Sequence, residues 1–277
     1  MKLSKFIPVA FVLALIFSCK KDNNNGSAPT EQAYLPATFK LTASDGSFAN
    51  YELTYNDDNS VATLTSSMST SEGEIDTVHF SHNANGDCVK VTFTNNMGRV
   101  GGSSDSLVYR DGKMIILLLD NVGMVQDSTV FTFNSQGDVI MMGNKDTVRN
   151  GDSKSLYYIE FSIINGNPQT FTTYSYYAAS ATTQPQITNF TSNYAYDNKS
   201  NAFQAVFRAD PILVYLLSNS ALAYISMGKN NITGITQSDS QYVFALTYDT
   251  VTGYLSSQQT TFMGTTLTID YTYVKSK

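Results

Sequence analysis

The chain has few of the residue types on which enzymes and nucleic-acid-binding proteins depend. Among its 277 residues are two histidines, two cysteines and no tryptophan, and 17 basic residues stand against 23 acidic ones. Nucleic acids are bound through a basic face, which this acidic balance does not supply, so we exclude a nucleic-acid partner. The sequence also lacks a G-x-S-x-G motif, and only the two histidines offer a general base. We therefore predict no catalytic residue and no enzymatic activity.

The chain also lacks an apolar run of the roughly 20 residues that a membrane-spanning helix needs. Its N-terminal run extends only from Phe6 to Phe17, after two lysines and before Ser18 and Cys19. A charged start, a short apolar core and a small residue at its end are the three parts of a secretory signal. We predict that residues 1–18 are a signal peptide.

The four residues Ile16–Cys19 resemble the lipobox of bacterial lipoproteins, in which a peptidase cuts before the cysteine and lipids are attached to it. The resemblance implies that Cys19 is lipidated, with palmitate among its acyl chains, and that the membrane is a partner. Two or more acyl chains give lasting attachment, because each buried CH₂ contributes about 0.8 kcal/mol. The alternative is an ordinary signal peptide followed by a chance cysteine.

The residues Lys20–Asn25 resemble the segment after the lipidated cysteine in Bacteroidota outer-membrane lipoproteins. This resemblance implies that the protein is located at the cell outer membrane. It favours display on the cell surface over the periplasmic face. Removal of residues 1–18 takes away two lysines and no acidic residue, which leaves 15 basic and 23 acidic side chains and a formal charge of −8.

The mature chain divides into a tether and one domain. Residues 19–34 are polar and lack periodicity, as is typical of a flexible linker. Residues 35–277 are predicted to form a single antiparallel β domain. Because Cys19 is committed to lipid, Cys88 has no disulfide partner, and we interpret it as an inert strand residue.

Alternating apolar and polar residues, the pattern of half-buried strands, recur between turns rich in Asn, Asp and Gly. Tyr51, Leu53 and Tyr55 share one face of such a segment, and Asp111-Gly112 is a strong two-residue hairpin signal. The predicted turns open at residues 56, 83, 111, 134, 165, 197 and 249. The first six are about 23 to 32 residues apart, which fits one hairpin per step.

The last interval is longer and contains a different pattern. Asp210-Pro211 favours the start of a helix, with Asp210 as its N-cap, and the apolar residues that follow share one helical face. We predict one or two short helices near 203–224, packed on the sheet or plugging its concave side; a continuous buried strand is the alternative. The run Met114–Leu119 is apolar on both faces, which predicts a strand covered on both sides.

Three segments together, Tyr196–Phe203, Lys229–Ile232 and Leu246–Tyr254, resemble a group of Bacteroidota lipoproteins of unknown function. Hairpins that begin with Tyr-Asn or Tyr-Asp and close at Gly are also similar to the YD-type repeats of bacterial surface proteins. The resemblance covers most of residues 39–273. It implies a mainly β fold: a long antiparallel meander of hairpins that forms a curved, partly open, porin-like sheet. It implies no catalytic residue.

Two patterns in the sequence resemble metal sites, but neither has the ligand arrangement that a metal ion needs. His79 and His82 point to opposite faces of a strand, which disfavours a shared ion. The loops Asn83–Asp87 and Asp57–Asn59 are rich in oxygen atoms but lack the closing acid of a calcium loop, and turn propensity explains them. We predict no metal and no cofactor.

Exported proteins of this phylum carry O-glycans at Asp-Thr and Asp-Ser sequences, and five such sequences resemble those acceptors. The candidate acceptors are Thr77, Ser106, Ser128, Thr147 and Thr250. Strand entry is the alternative explanation of the same dipeptides. Tyrosines such as Tyr174, Tyr176 and Tyr177, and the pair Tyr271 and Tyr273, are expected to pack across strands, with stacking on sugar rings as the alternative.

These observations favour a lipid-anchored cell-envelope protein whose β domain binds or scaffolds a partner without catalysis. The partner classes are a glycan or an envelope protein. The first alternative is a glycan-binding surface module for nutrient uptake. The second is an envelope hydrolase, which would require His79 or His82 to lie in a pocket beside a carboxylate and a serine.

Overall fold

The computed structural model describes residues 34–69, 75–94, 104–146, 148–150, 152–180, 182–217, 227–238, 240–262 and 264–277. Most of them lie in antiparallel strands, as predicted. The strands are β1 Tyr34–Ala43, β2 Phe48–Tyr55, β3 Val61–Met68, β4 Ile75–His82, β5 Cys88–Phe93, β6 Ser104–Arg110, β7 Lys113–Leu119, β8 Val125–Phe133, β9 Val139–Gly143, β10 Val148–Asn150, β11 Ser153–Ile164, β12 Asn167–Ala178, β13 Gln186–Ser200, β14 Asn230–Gln237, β15 Ser240–Val243, β16 Ala245–Tyr248, β17 Leu255–Phe262 and β18 Thr265–Lys275.

The strands form one sheet that closes almost completely into a barrel. Neighbours in the chain pair with one another, and β1 pairs with both β2 and β18, so the first and last strands meet. Only Phe244 separates β15 from β16, and its amide nitrogen donates to the carbonyl oxygen of Thr233 (2.9 Å), so these two segments continue one path. The short β10 is an exception, because β9 passes it and pairs with β11.

Turn residues with positive φ close several hairpins where the sequence predicts them. Asp111 and Gly112 have φ of 51° and 69°, as the tight turn between β6 and β7 requires. Two longer turns, Asn83–Asp87 and Asn134–Asp138, share one bonding scheme: the first Asn accepts two backbone N–H groups and donates to the Asp that ends the turn. Sequence therefore determines these turns locally.

The predicted turn at Asp197 is wrong. Strand β13 runs through this position to Ser200, and its register jumps from the pair Tyr196 and Ile232 to the pair Ser200 and Asn230. The extra residues form a bulge instead of a hairpin. The Asp197 carboxylate holds the bulge by accepting the backbone N–H of Asn231 (3.1 Å) and the hydroxyl of Tyr248.

Alternate residues of the strands point inward and form the core. Met114 and Ile116 of β7 are fully buried, whereas Ile115 and Leu117 on its outer face are only half-buried. The expectation that this strand is covered on both faces is therefore met on the inner face alone.

Two short helices lie against the inner side of the barrel, α1 Phe203–Ala209 and α2 Ile212–Leu216, as predicted. The Phe203 ring meets the rings of Phe39 and Tyr271 edge-on, with 5.5 Å between centroids in each case. Residues 203–216, here called the helical segment, thus contribute to the core through their buried apolar side chains, which are Phe203, Val206, Phe207, Ile212, Leu213 and Val214. Among the residues that the structure describes, no helix has the length and apolarity needed to cross a membrane.

Candidate functional site

Two features inside the barrel have the chemistry of a functional site, and the first is a buried cluster at the helical segment. His82 ends β4 and Cys88 begins β5, and the two residues are direct cross-strand partners, so their side chains lie on the same inner face. Asp210, between α1 and α2, meets them from the helical segment. We call His82, Cys88 and Asp210 the buried triad.

Asp210 is the centre of this triad. One carboxylate oxygen lies 2.7 Å from His82 Nε2, and the other accepts the backbone N–H of Val61 (3.1 Å). The side chains of His82 and Asp210 are 8% and 1% exposed, so both groups are withdrawn from water. The three side-chain donor atoms of the triad all lie within 4.8 Å of one another.

Burial controls the electrostatics of the triad. Desolvation raises the pKa of Asp210 above its ordinary value, and the contacts with His82 and Val61 oppose that shift. Burial, together with the charge of Asp210, raises the pKa of the Cys88 thiol to about 12. Desolvation is also the main cause of the raised pKa of Tyr109, to which Cys88 and Asp210 add.

The triad does not have the properties of a nucleophilic site. A thiol acts as a nucleophile when it is a thiolate and within reach of substrate, whereas Cys88 is protonated and fully buried. The other histidine, His79, is exposed on the outer face of β4. The expectation that Asp210 caps α2 is wrong, since α2 has no side-chain cap and the Asp210 carboxylate faces His82 instead.

The second feature is an opening in the barrel wall between β8 and β11. Strand β9 pairs with β8 only at Phe131, Thr132 and Phe133. It pairs with β11 only from Met141 to Gly143. Beyond these residues no described strand bridges β8 and β11, and β10 covers only the start of β11. The gap leaves the earlier part of β8 without a strand partner on that side among the described residues.

A cavity of about 570 Å³ occupies this gap, and we call it the seam cavity. It extends from the barrel wall to Tyr215 of α2, and its size falls in the range of about 300–1,000 Å³ that is typical of small-molecule sites. Its lining residues are Asp127, Ser128, Thr129, Val130, Met142, Gly143, Asn144, Asp146, Ser155, Leu156, Tyr157, Ile159 and Tyr215.

The lining of the seam cavity combines aromatic, apolar and acidic groups. The Tyr157 ring is 58% exposed, while Met142 and Ile159 are buried at the base. Asp127 and Asp146 are exposed carboxylates, and no basic side chain lines the described part of the cavity. The cavity therefore disfavours anionic ligands and suits neutral polar or cationic ones.

Gly143 allows β9 and β11 to approach closely at the edge of the seam cavity. Its φ is +92°, and a Cβ atom at this position would lie 2.5 Å from the carbonyl oxygen of Tyr157. Only glycine combines this conformation with so close an approach of β9 to β11.

The predicted modification sites have different positions in the structure. Ser128 and Thr250 are exposed, and Thr77 and Ser106 are half-buried; Ser128 also lines the seam cavity. Thr147 and Cys19 lie outside the described residues. The O-glycosylation and lipidation of these positions remain predictions.

Two of the named tyrosines and one of the oxygen-rich loops have structural partners. Tyr174 stacks on its cross-strand partner Tyr158, with 5.2 Å between ring centroids, and Tyr271 is buried against Phe203. In the loop that begins at Asn83, the side-chain oxygen of that residue accepts the N–H groups of its own turn. Turn formation accounts for this oxygen.

The sequence predicts neither the contact between Asp210 and His82 nor the seam cavity. The available signal for Asp210 was an acidic residue inside an otherwise apolar segment, which implies burial and hence a partner. His82 was the other half of that signal, because it is the inward-facing histidine of the two. The seam had no comparable signal, because it depends on which strands β9 passes and where its pairing ends.

No protein-family model matches the chain, and no curated protein sequence matches it. Among solved structures, a porin-like protein from Bacteroides uniformis is similar, with 14% identity, coverage of 86% of this chain and 96% of that chain, and a TM-score of 0.37. A porin-like protein from Bacteroides vulgatus is also similar, with 11% identity, coverage of 87% and 99%, and a TM-score of 0.37. Neither description states a ligand or an activity.

Proposed function

We propose that this is a lipid-anchored protein of the bacterial outer membrane whose β domain binds a small ligand without transforming it. The location rests on the N-terminal sequence, in which a signal-like leader ends at Cys19 and a polar tether follows. The binding role rests on one structural observation, the seam cavity. Display on the cell surface is part of the proposal, as is the absence of catalysis.

The seam cavity supports binding because it offers a large concave surface on which polar and aromatic side chains lie beside apolar ones. Asp127 and Asp146 present carboxylates at its rim, and Tyr157 presents an exposed ring. The triad offers no activated nucleophile, since the thiol of Cys88 is protonated and buried. These features together favour retention of a ligand over reaction with it.

A test of this proposal is a thermal-shift screen of the detergent-solubilised full-length chain against small metabolites and oligosaccharides. For each compound that raises the unfolding temperature of the parent chain, the shift is then measured on Tyr157→Ala, and on Tyr177→Ala as the matched control. Tyr177 is 47% exposed and does not line the seam cavity. We expect the first variant to lose the shift and the second to keep it.

Two outcomes would contradict the proposal. If Tyr157→Ala and Tyr177→Ala respond alike, the ligand binds elsewhere. If mass spectrometry finds the bound compound converted to a product after prolonged incubation with the parent chain, the protein is an enzyme.

A glycan is the second candidate, as a more specific ligand class for the same cavity. Aromatic rings stack on the apolar faces of sugars, and Tyr157 and Tyr215 both reach the cavity. Carboxylates accept hydrogen bonds from neighbouring hydroxyl groups, and amides both accept and donate them. Asp127 and Asp146 supply the carboxylates, and Asn144 supplies the amide. Among the described lining residues there are two carboxylates and no basic side chain, which favours neutral over acidic sugars.

Isothermal titration with neutral oligosaccharides tests the glycan assignment separately. Loss of the Tyr157 ring should weaken binding about two- to tenfold, since one aromatic contact contributes about 0.5–1.5 kcal/mol. Tyr177→Ala again serves as the control. Ligands found in the screen that are all non-sugars would refute the glycan assignment and leave the binding role intact.

A further inference from the structure

The buried triad brings together one nitrogen, one sulfur and one oxygen donor from two distant parts of the chain. His82 and Cys88 come from the β4–β5 hairpin, and Asp210 comes from the helical segment. Soft and borderline ligands of this kind select zinc and related transition ions, whereas calcium and magnesium prefer oxygen alone. The donor set therefore differs in kind from a cluster of surface acids.

The spacing of the donor atoms is close to that of a bound ion. A tetrahedral zinc ion with bonds of about 2.0–2.3 Å holds its ligand atoms roughly 3.4–3.8 Å apart. The donor atoms of the triad are already within 4.8 Å of one another, and His82 Nε2 and Asp210 Oδ1 are 2.7 Å apart. An ion would replace this one hydrogen bond, with side-chain movements of about 1 Å.

The charges also balance around a divalent ion. With Cys88 as thiolate, Asp210 as carboxylate and His82 neutral, the ligands carry two negative charges, which a divalent ion cancels. Each ion that binds releases the thiol proton of Cys88 to solvent. A neutral assembly suits an interior in which Cys88 and Asp210 are no more than 1% exposed.

An independent observation points to the same place. The Tyr109 hydroxyl is buried and has no hydrogen-bond partner among the described residues. It lies near enough to Cys88 and Asp210 for their charges to act on it. Buried hydroxyl groups are normally paired, and this one, next to the triad, lacks a partner in the described part of the chain.

We propose that His82, Cys88 and Asp210 bind one zinc-class divalent ion, with the Tyr109 hydroxyl beside it, and that the ion fastens the helical segment to the β4–β5 hairpin. The role is structural and is independent of the seam cavity. Binding of the ion should therefore stabilise the barrel without altering ligand affinity.

The test uses the full-length chain in detergent, stripped with a chelator and then titrated with Co²⁺, whose thiolate complexes have a charge-transfer band in the near ultraviolet. We expect one Co²⁺ per chain and a band that survives in Cys19→Ser and disappears in Cys88→Ser. His79→Ala should leave the band unchanged, because His79 is exposed on the outer face and is not a proposed ligand. A band that is absent, or that persists in Cys88→Ser, would overturn the proposal.

Two further measurements do not depend on the folding of a cysteine variant. X-ray absorption of the zinc-loaded parent chain should show one sulfur neighbour at about 2.3 Å; neighbours that are all nitrogen or oxygen would refute the site. Tyr109→Phe removes only the hydroxyl and should weaken zinc binding about tenfold, as loss of an outer-shell partner does. Unchanged affinity would remove Tyr109 from the site.

Discussion

Replacement of Asp210 by alanine tests whether the helical segment is fastened to the barrel by the contacts of one carboxylate. Asp210 accepts from the backbone N–H of Val61 and lies in hydrogen-bond contact with His82. Alanine cannot accept either bond, and a residue that is 1% exposed has almost no contact with bulk water that could replace the lost acceptor. The two partners are then left buried and unpaired.

The size of the loss follows from these two groups. A buried polar group that loses its partner costs about 1–3 kcal/mol, so two such groups cost roughly 2–6 kcal/mol, and we expect a loss of about 4 kcal/mol in the free energy of unfolding. Asp210→Asn keeps one acceptor and removes the negative charge. Burial of that charge is unfavourable, which is why desolvation raises the pKa of Asp210. The loss in the free energy of unfolding should be about half as large for Asp210→Asn as for Asp210→Ala.

Urea unfolding of the full-length chain in the presence of a chelator, followed by circular dichroism, measures the loss without any contribution from a metal ion. Asp57→Ala is the control, because Asp57 is fully exposed and bonds only the terminal Lys277. We expect the parent, the Asn variant and the Ala variant to unfold in that order. If Asp210→Ala is no less stable than Asp57→Ala, the helical segment is held by other contacts and the reasoning fails.

Two further predictions concern Cys88 and Gly143. In the Cys19→Ser chain, Cys88 should resist alkylation in the native state even at pH 9, because a pKa of about 12 leaves roughly one thiolate in a thousand, and it should react in urea; native reaction at the rate of a free cysteine would contradict the burial. Gly143→Ala should lose more than about 1 kcal/mol in the free energy of unfolding, because the added Cβ meets the carbonyl oxygen of Tyr157. Gly86→Ala is its control, since Gly86 has a similar φ but open space around it, and equal losses in the two variants would show that the seam makes no special demand.

The hairpin fold could be predicted from sequence because its determinants are local. Strand alternation and turn residues such as Asp111-Gly112 act over a few positions. The helical segment could be predicted because Asp210-Pro211 favours the start of a helix. The same local reasoning failed at Asp197, where the expected turn is a bulge. The partners that hold that bulge, Asn231 and Tyr248, are separated from it by 34 and 51 positions in the chain.

The candidate sites could not be predicted to the same extent, because closure of the barrel creates them. His82 and Asp210 meet across 128 positions of sequence, and nothing local to either residue specifies that contact. The seam cavity exists because β9 pairs with two strands over only a few residues each. Sequence did predict that Cys88 lies in a strand, but not that its side chain points inward.

Localisation of Cys19→Ser in a bacterial host that processes lipoproteins tests the central claim, that this is a membrane-anchored envelope protein. The measurement is the distribution of the protein between membrane and soluble fractions. We expect the parent chain in the outer-membrane fraction and Cys19→Ser in the soluble fraction, because the proposed attachment depends on acyl chains at Cys19. A Cys19→Ser protein that stays in the membrane fraction would contradict the lipid anchor and the location that rests on it.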